Sequence, residues 1–381
     1  MLRGKPKNIL GLQQILYSRP IRGVYVQTPP QFIQHFIRPC RSFGGLPTVL
    51  VPPLVFTGLF IALWSWKCTM MVLFQNKIIY MPGLPPNARW ETIAEYANQC
   101  NGISWREERI ESLDGMSITL CVASVKNGGL GARNVYILYF QGNASSLPPR
   151  LPFLSPVLRM LRDRGPGVQY TMVCCSYRGY WTSKGRPSEK GIALDAAASL
   201  QWIKRDYSQQ GGTSKDEITV VIWGQSIGAG VATTLASQQH HFANSRASSE
   251  CSLSLQTLIL ETPFLSIRAM LQTLYPQKFL PYRYLWPFLW NHFDSFTALG
   301  VMEKSFQKGG GRVPNVVIIE AGKDELVPRE HGLVLEERCR QLGVPTQRIS
   351  VPGAFHTGVL GREEGRSAVV WAIEGTGRAG S

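Results

Sequence analysis

No aspartate or glutamate occurs before Glu91, although that front stretch carries ten lysines and arginines. Of the net charge of +15, the front stretch holds +10 and the rest of the chain only +5. Cations confined to one end do not describe a nucleic-acid groove; they suit a membrane flank or a targeting segment. The eight cysteines include no Cys-x-x-Cys and accompany no paired histidine spacing, so neither a zinc site nor a disulfide framework is indicated. Cys174 and Cys175 lie side by side in an apolar run and read as small buried residues. No internal repeat is visible. Charged residues make up only 17% of the chain against 44% hydrophobic, which describes a globular protein on the apolar side. Its 381 residues allow one large domain with extensions, or two domains.

Residues 1–47 read as a basic, proline-interrupted tail. From Phe43 to Trp66 there is no charge at all, and residues 48–74 form a stretch long enough to cross a bilayer as a helix, which takes about 20 residues. Trp64 and Trp66, followed by Lys67, resemble an interfacial belt. Pro52-Pro53 is expected to kink or delay the helix start. The competing reading is an apolar stretch packed on the domain. The denser arginines ahead of the span place the N-terminus in the cytosol; an arginine-rich, acid-free mitochondrial presequence is the alternative. The expected location is a membrane, single-pass, of the endoplasmic reticulum, with the mitochondrion as alternative.

Residues 75–377 alternate strands and helices. Strands are expected at Trp105–Ser112 and Ser117–Val125, joined by the turn Leu113-Asp114-Gly115, then at Val135–Phe140, Tyr170–Tyr177, Ile218–Trp223, Thr257–Leu260, Val316–Ile319 and Arg348–Val351. Helices are expected after Ser188, after Ser226, and over Glu330–Leu342 and Ser367–Glu374. The pattern implies an α/β fold with a mostly parallel, doubly covered sheet entered through an antiparallel hairpin. Residues 265–296, rich in aromatics and proline, read as a cap-like insertion.

The chemistry centres on Val220-Val221-Ile222-Trp223-Gly224-Gln225-Ser226-Ile227-Gly228. An apolar run ends in Gly-x-Ser-x-Gly and leads into a helix-compatible segment, the layout of a nucleophile elbow. An inert serine in a buried turn is the plainer alternative. A serine hydroxyl needs a base, and the base an orienting acid. Asp324 and His356 each follow an apolar strand, in the order this layout requires. Glu261 and Glu325 are alternative acids. A second oxyanion donor is expected after the third strand, where Gly142-Asn143 stands, so that the Asn143 N–H joins that of Ile227.

Taken jointly, these segments resemble the membrane-anchored alpha/beta-hydrolase-domain family. They are Phe140-Gln141-Gly142-Asn143-Ala144, Tyr177-Arg178-Gly179-Tyr180, Pro187-Ser188-Glu189 with Asp195, Gly224-Gln225-Ser226-Ile227-Gly228, Glu261-Thr262-Pro263-Phe264, Gly322-Lys323-Asp324-Glu325 and Gly353-Ala354-Phe355-His356. That family includes protein depalmitoylases and lysophospholipid or monoacylglycerol lipases. The resemblance implies Ser226 as nucleophile, Asp324 and His356 as its relay, Asn143 and Ile227 as oxyanion donors, and no metal or organic cofactor. It implies partners of acyl-lipid or S-acylated-protein type at a membrane, and no nucleic acid. The expected activity is hydrolysis of acyl esters or thioesters through an acyl-enzyme; a serine peptidase and a non-catalytic membrane scaffold are the alternatives. Two positions depart from the family pattern: Gln141 stands where histidine is usual, and Thr357-Gly358-Val359 replaces the usual Asn-Asp. The Tyr-Arg-Gly-Tyr and Pro-Ser-Glu segments are expected to orient and cap structure.

Overall fold

The computed structural model describes residues 47–127, 133–164, 167–213, 216–242 and 251–375, so the basic tail lies outside the described residues except at its last position. The chain divides into two compact units, Met1–Ile61 and Ala62–Ser381. Helix α1 (Val51–Leu73) begins in the first and ends in the second. Its Pro52 and Pro53 fall in the first turn, where no backbone N–H is needed, so they neither kink nor delay it. Thr48–Leu73 is the one described helix long and apolar enough to cross a membrane.

Helix α2 (Gln75–Tyr80) follows, then the short α3 (Ile93–Tyr96), closed by a Thr92/Glu95 capping box. Strands β1 (Arg106–Glu111) and β2 (Ser117–Asn127) form the expected hairpin. Strand β3 (Arg133–Phe140) leads through α4 (Leu151–Arg164) to β4 (Val168–Ser176). Helix α5 (Glu189–Gln209) precedes β5 (Glu217–Gln225) and α6 (Ile227–Ser237). Strand β6 (Ser252–Glu261) gives way to α7 (Ile267–Leu274) and α8 (Ser295–Lys308). Strand β7 (Asn315–Ala321), α9 (Arg329–Gln341), β8 (Thr346–Val351) and α10 (Glu363–Glu374) complete the fold.

The eight strands form one sheet in the order β1-β2-β4-β3-β5-β6-β7-β8, parallel from β4 onward. Successive strand residues point to opposite faces. Tyr136, Leu138 and Phe140 of β3 join Val220 and Ile222 of β5 in a core shared with α5, α6 and α8. Val135, Ile137 and Tyr139 join Val221 and Trp223 on the other face, against α4 and α10. Both faces are therefore covered, as a central parallel sheet requires.

Three differences from the sequence reading have physical causes. Helix α4 was not anticipated: Pro152 falls in its first turn, and Pro156 removes only one internal hydrogen bond, which burial of Leu154, Val157, Leu158 and Leu161 outweighs. Strand β6 starts at Ser252, five residues earlier than expected, because Ser252, Ser254 and Gln256 alternate with buried Leu253 and Leu255. Polar residues there disguised a period of two as a loop. Helix α8 also escaped notice; the Asp294 carboxylate caps it by accepting from the Thr297 N–H at 3.0 Å.

The polar Tyr-Arg-Gly-Tyr and Pro-Ser-Glu segments do structural work. Arg178 is held by Asp195 and Asp114, each at 2.8 Å, and Asp195 is fully buried. The Ser188 hydroxyl caps α5, accepting from the Gly191 N–H at 3.2 Å. Cys174 and Cys175 are buried and free, as expected.

Candidate active site

The turn between β5 and α6 sets the geometry. Ser226 has φ 54° and ψ −117°, a strained conformation for a residue with a side chain. Its N–H donates to the Glu261 carbonyl at 2.8 Å, which ties the strained residue to β6. The turn closes only because its flanking residues lack side chains: a Cβ on Gly224 would collide with the Gly228 carbonyl, and one on Gly228 with the carbonyls of Phe140 and Gln141. The hydroxyl is thereby held above the strand ends, the usual place for a site in an open parallel sheet.

His356 and Asp324 converge on it from the loops after β8 and β7. His356 Nε2 lies 3.0 Å from Ser226 Oγ, and Nδ1 lies 3.0 and 2.9 Å from the two Asp324 oxygens. A carboxylate can only accept, so the ring proton belongs on Nδ1, leaving Nε2 to accept from the serine. Two backbone bonds brace the loops against each other: the Lys323 N–H donates to the Ala354 carbonyl and the Gly322 N–H to the Val351 carbonyl, both at 2.8 Å. Burial alone would raise the Asp324 carboxyl, but hydrogen bonds from His356 and from the Val327 and Leu326 N–H groups hold it below the ordinary carboxylate range.

The other acids take different places. Glu325 accepts from the His356 backbone N–H at 3.0 Å, steadying the loop and not the ring. Glu261 is wholly buried beneath the elbow, accepting from Trp223 Nε1 at 3.0 Å and from Gln225 Nε2 at 3.1 Å. Burial pushes its pKa up to about 7, against the opposing pull of Arg150, of these hydrogen bonds and of His356.

Asn143 and Ile227 both line the cavity onto which Ser226 and His356 open. A Cβ placed on Gly142 would lie 3.6 Å from the Ser226 Cβ, so the β3 loop runs close beside Ser226. The Ile227 N–H belongs to the first turn of α6 and has no partner within its helix. Ala144 and Ser145 take positive φ, and the Ala144 N–H donates to the Tyr80 carbonyl at 3.0 Å. Gln141 is buried, and neither of its side-chain polar atoms has a partner among the described residues.

The cavity has a volume of about 400 Å³ and is walled almost entirely by apolar side chains. The 265–296 segment supplies Ile267, Met270, Leu271, Leu274, Leu285, Phe288 and Leu289. Its neck is closed by backbone bonds from Ile267 to His292 and from Ser295 to Leu265, at 2.8 and 2.9 Å. The opposite wall was missed in the sequence. Met71 and Val72 of α1, with Ile78 and Ile79 of α2, face the same space. Gln75 fastens the two walls together: Nε2 donates to the Phe288 carbonyl at 3.0 Å, and Oε1 accepts from the Trp290 N–H at 2.7 Å. The apolar run Ile78-Ile79-Tyr80-Met81 was the available signal for this wall.

Sheet order, elbow and strand-end loops are those of the alpha/beta-hydrolase fold. The structure overlaps an alpha-beta hydrolase from Vibrio vulnificus with a TM-score of 0.53 at 17% identity, covering 79% of this chain and 90% of that one. It overlaps a fungal esterase from Rhizomucor miehei with a TM-score of 0.51 at 12% identity, covering 76% and 88%. No family model matches the chain. In sequence it is 26% identical over 320 residues to an uncharacterized protein of Mycobacterium tuberculosis, covering 84% of this chain and 90% of that protein. It is 31% identical over 199 residues to lysophosphatidylserine lipase ABHD12 of Gallus gallus, covering 52% of this chain and 46% of the lipase. The chain thus spans about half the length of the lysophosphatidylserine lipases it matches. The chain has the alpha/beta-hydrolase fold and is similar in sequence to alpha/beta-hydrolase-domain lipases over about half of its length.

Proposed function

We propose that the chain is a membrane-anchored serine hydrolase that cleaves acyl esters or thioesters of lipids or S-acylated proteins. Ester hydrolysis of the esterase and lipase type is what the relatives support. The observation that carries the serine mechanism is the continuous hydrogen-bonded line Ser226–His356–Asp324 opening onto an apolar cavity.

Ser226 Oγ attacks the acyl carbon while its proton passes to His356 Nε2. Asp324 holds the Nδ1–H and stabilises the imidazolium. The N–H groups of Asn143 and Ile227 receive the oxyanion. Collapse of the tetrahedral adduct breaks the carbon–oxygen or carbon–sulfur bond, and the leaving group takes the proton from Nε2. Water, deprotonated by the same nitrogen, then releases the acyl group. The apolar walls suit an acyl chain. Among the described residues no carboxylate lines the cavity to receive a free amine, which favours this reading over a peptidase.

Helix α1 is proposed to cross the bilayer, in the endoplasmic reticulum, with the mitochondrion as the alternative that fractionation decides. A fluorophosphonate probe tests the chemistry. Labelling of the full chain that disappears in Ser226→Ala supports the enzyme; folded protein that never labels supports a non-catalytic scaffold. Rates on matched ester, thioester and peptide substrates then select the bond.

A further inference from the structure

We infer that the cap is itself a membrane contact, whose outer aromatic and cationic face seats on an anionic bilayer surface so that the cavity mouth opens into lipid. The inference rests on the proposed membrane anchoring and assigns a second, separate surface to it.

Between Glu261 and Asp294 there is no acidic residue, while Arg268, Lys278 and Arg283 supply positive charge. Phe279, Tyr284, Phe288 and Trp290 each expose more than half of their surface. Large apolar side chains gathered on one short segment mark a contact surface in a folded protein. The cations stand against the rings: the Arg268 guanidinium lies 3.8 Å from the Trp286 ring centre and that of Arg283 5.6 Å from Tyr284. Rings interleaved with basic side chains are the composition of a headgroup-level belt.

Continuity favours lipid over an acidic protein as the occupant. Lys67, near the C-terminal end of α1, stands 5.0 Å from the ring centre of Tyr282 in the cap, so that end of the helix and the cap adjoin. Ile78, Leu274 and Phe288 both line the cavity and remain about half exposed, at 50%, 59% and 60%. They form an apolar rim between α2 and the cap. Seated on a bilayer, that rim lets an acyl chain pass from membrane to cavity without entering water, and anionic headgroups meet Lys278 and Arg283 beside it.

The test uses the full chain in vesicles of brominated phosphatidylcholine, with and without phosphatidylserine. Flotation reports anchoring by α1. The difference in tryptophan quenching between the parent and Trp290→Phe reports the cap alone. Phosphatidylserine is expected to raise the Trp290 contribution by about twofold or more, and Lys278→Glu with Arg283→Glu to remove the rise, since each basic residue near an anionic surface adds about a fivefold bias. An unchanged thermal midpoint establishes that the double variant is folded. A floating protein whose Trp290 is unquenched with either lipid overturns the inference and points to a protein partner, while anchoring stands. Protein that floats only with phosphatidylserine overturns the anchor, and it overturns the cap contact too unless Trp290 is quenched on those vesicles. Protein that floats with neither overturns both.

Discussion

The two sides of Ser226 are built on opposite principles. Behind it, the strand ends are crowded, polar and closed: His356 is 4% exposed, Glu261 not at all, and the loops carrying Asp324 and His356 share backbone bonds. In front, α7 has no buried residue, and between it and Asp294 the chain makes only two short 3-10 turns. Hydrogen bonds hold that segment mainly at its neck and through Gln75 and Asn291. Charge that develops in a reaction needs dipoles fixed in advance. An acyl chain needs only apolar volume, which tolerates variation in packing. The rigid side can therefore set the reaction and the loose side the substrate.

Removing the hydroxyl breaks this division most severely. Ser226→Ala is expected to lower ester turnover by about a thousandfold or more and to abolish fluorophosphonate labelling. Residual turnover near the parent level would mean that the rigid side is not the reactive one. Asp324→Asn comes next, with a loss of about a hundredfold to ten-thousandfold, because the amide no longer fixes the Nδ1 proton. Glu325→Gln is expected to cost far less, since its oxygen serves a backbone N–H. Equal losses in the two variants would reassign the acid.

Much of the rigid side was legible in the sequence because its chemistry restricts residue identity at strand ends. Gly224 and Gly228 are required by carbonyls that approach within contact, and Asp324 and His356 each follow a short apolar run. Which acid stands beside the histidine ring needed three dimensions: Glu261, Asp324 and Glu325 all sit at or just past strand ends, and Asp324 is the one within hydrogen-bond distance of Nδ1. The loose side was half legible. The aromatic cap announced itself by composition, but the wall from α1 and α2 depends on a chain return of more than 200 residues, made through the Gln75 bonds to Phe288 and Trp290. No local pattern encodes that return. The N-terminal tail lies outside the described residues apart from its last position, and nothing in the fold bears on it.

A change confined to the loose side sharpens the contrast. Leu271 lines the cavity from α7, and Leu271→Trp fills space without touching the polar groups. The ratio of long-chain to acetyl ester turnover is expected to fall by about tenfold, the scale set by a few methylenes of pocket space. A uniform loss on every chain length would show that the cap and the strand-end rim are not separable.

The smallest effect on rate lies beneath Ser226, where the change reads out in stability instead. Glu261 has an ordinary pKa of 4.5, raised to about 7 by burial in the fold. Between these values the folded state binds more protons than the unfolded state, so this residue makes stability fall as pH rises. Its cost is absent below pH 4.5 and complete above about pH 7, where a shift of this size amounts to about 3 kcal/mol. Glu261→Gln removes the charge while keeping the shape. The Gln225 amide can turn over, offering its oxygen to the new side-chain N–H and its nitrogen to Tyr139, whose hydroxyl now donates to Gln225 at 3.3 Å. Trp223 keeps an acceptor in the other oxygen. Denaturant unfolding of parent and variant from pH 5 to pH 8 is therefore expected to diverge, with the variant gaining on the parent as pH rises. Parallel curves would mean that Glu261 is ionised and compensated throughout, and that the rigid side carries a fixed negative charge under its serine.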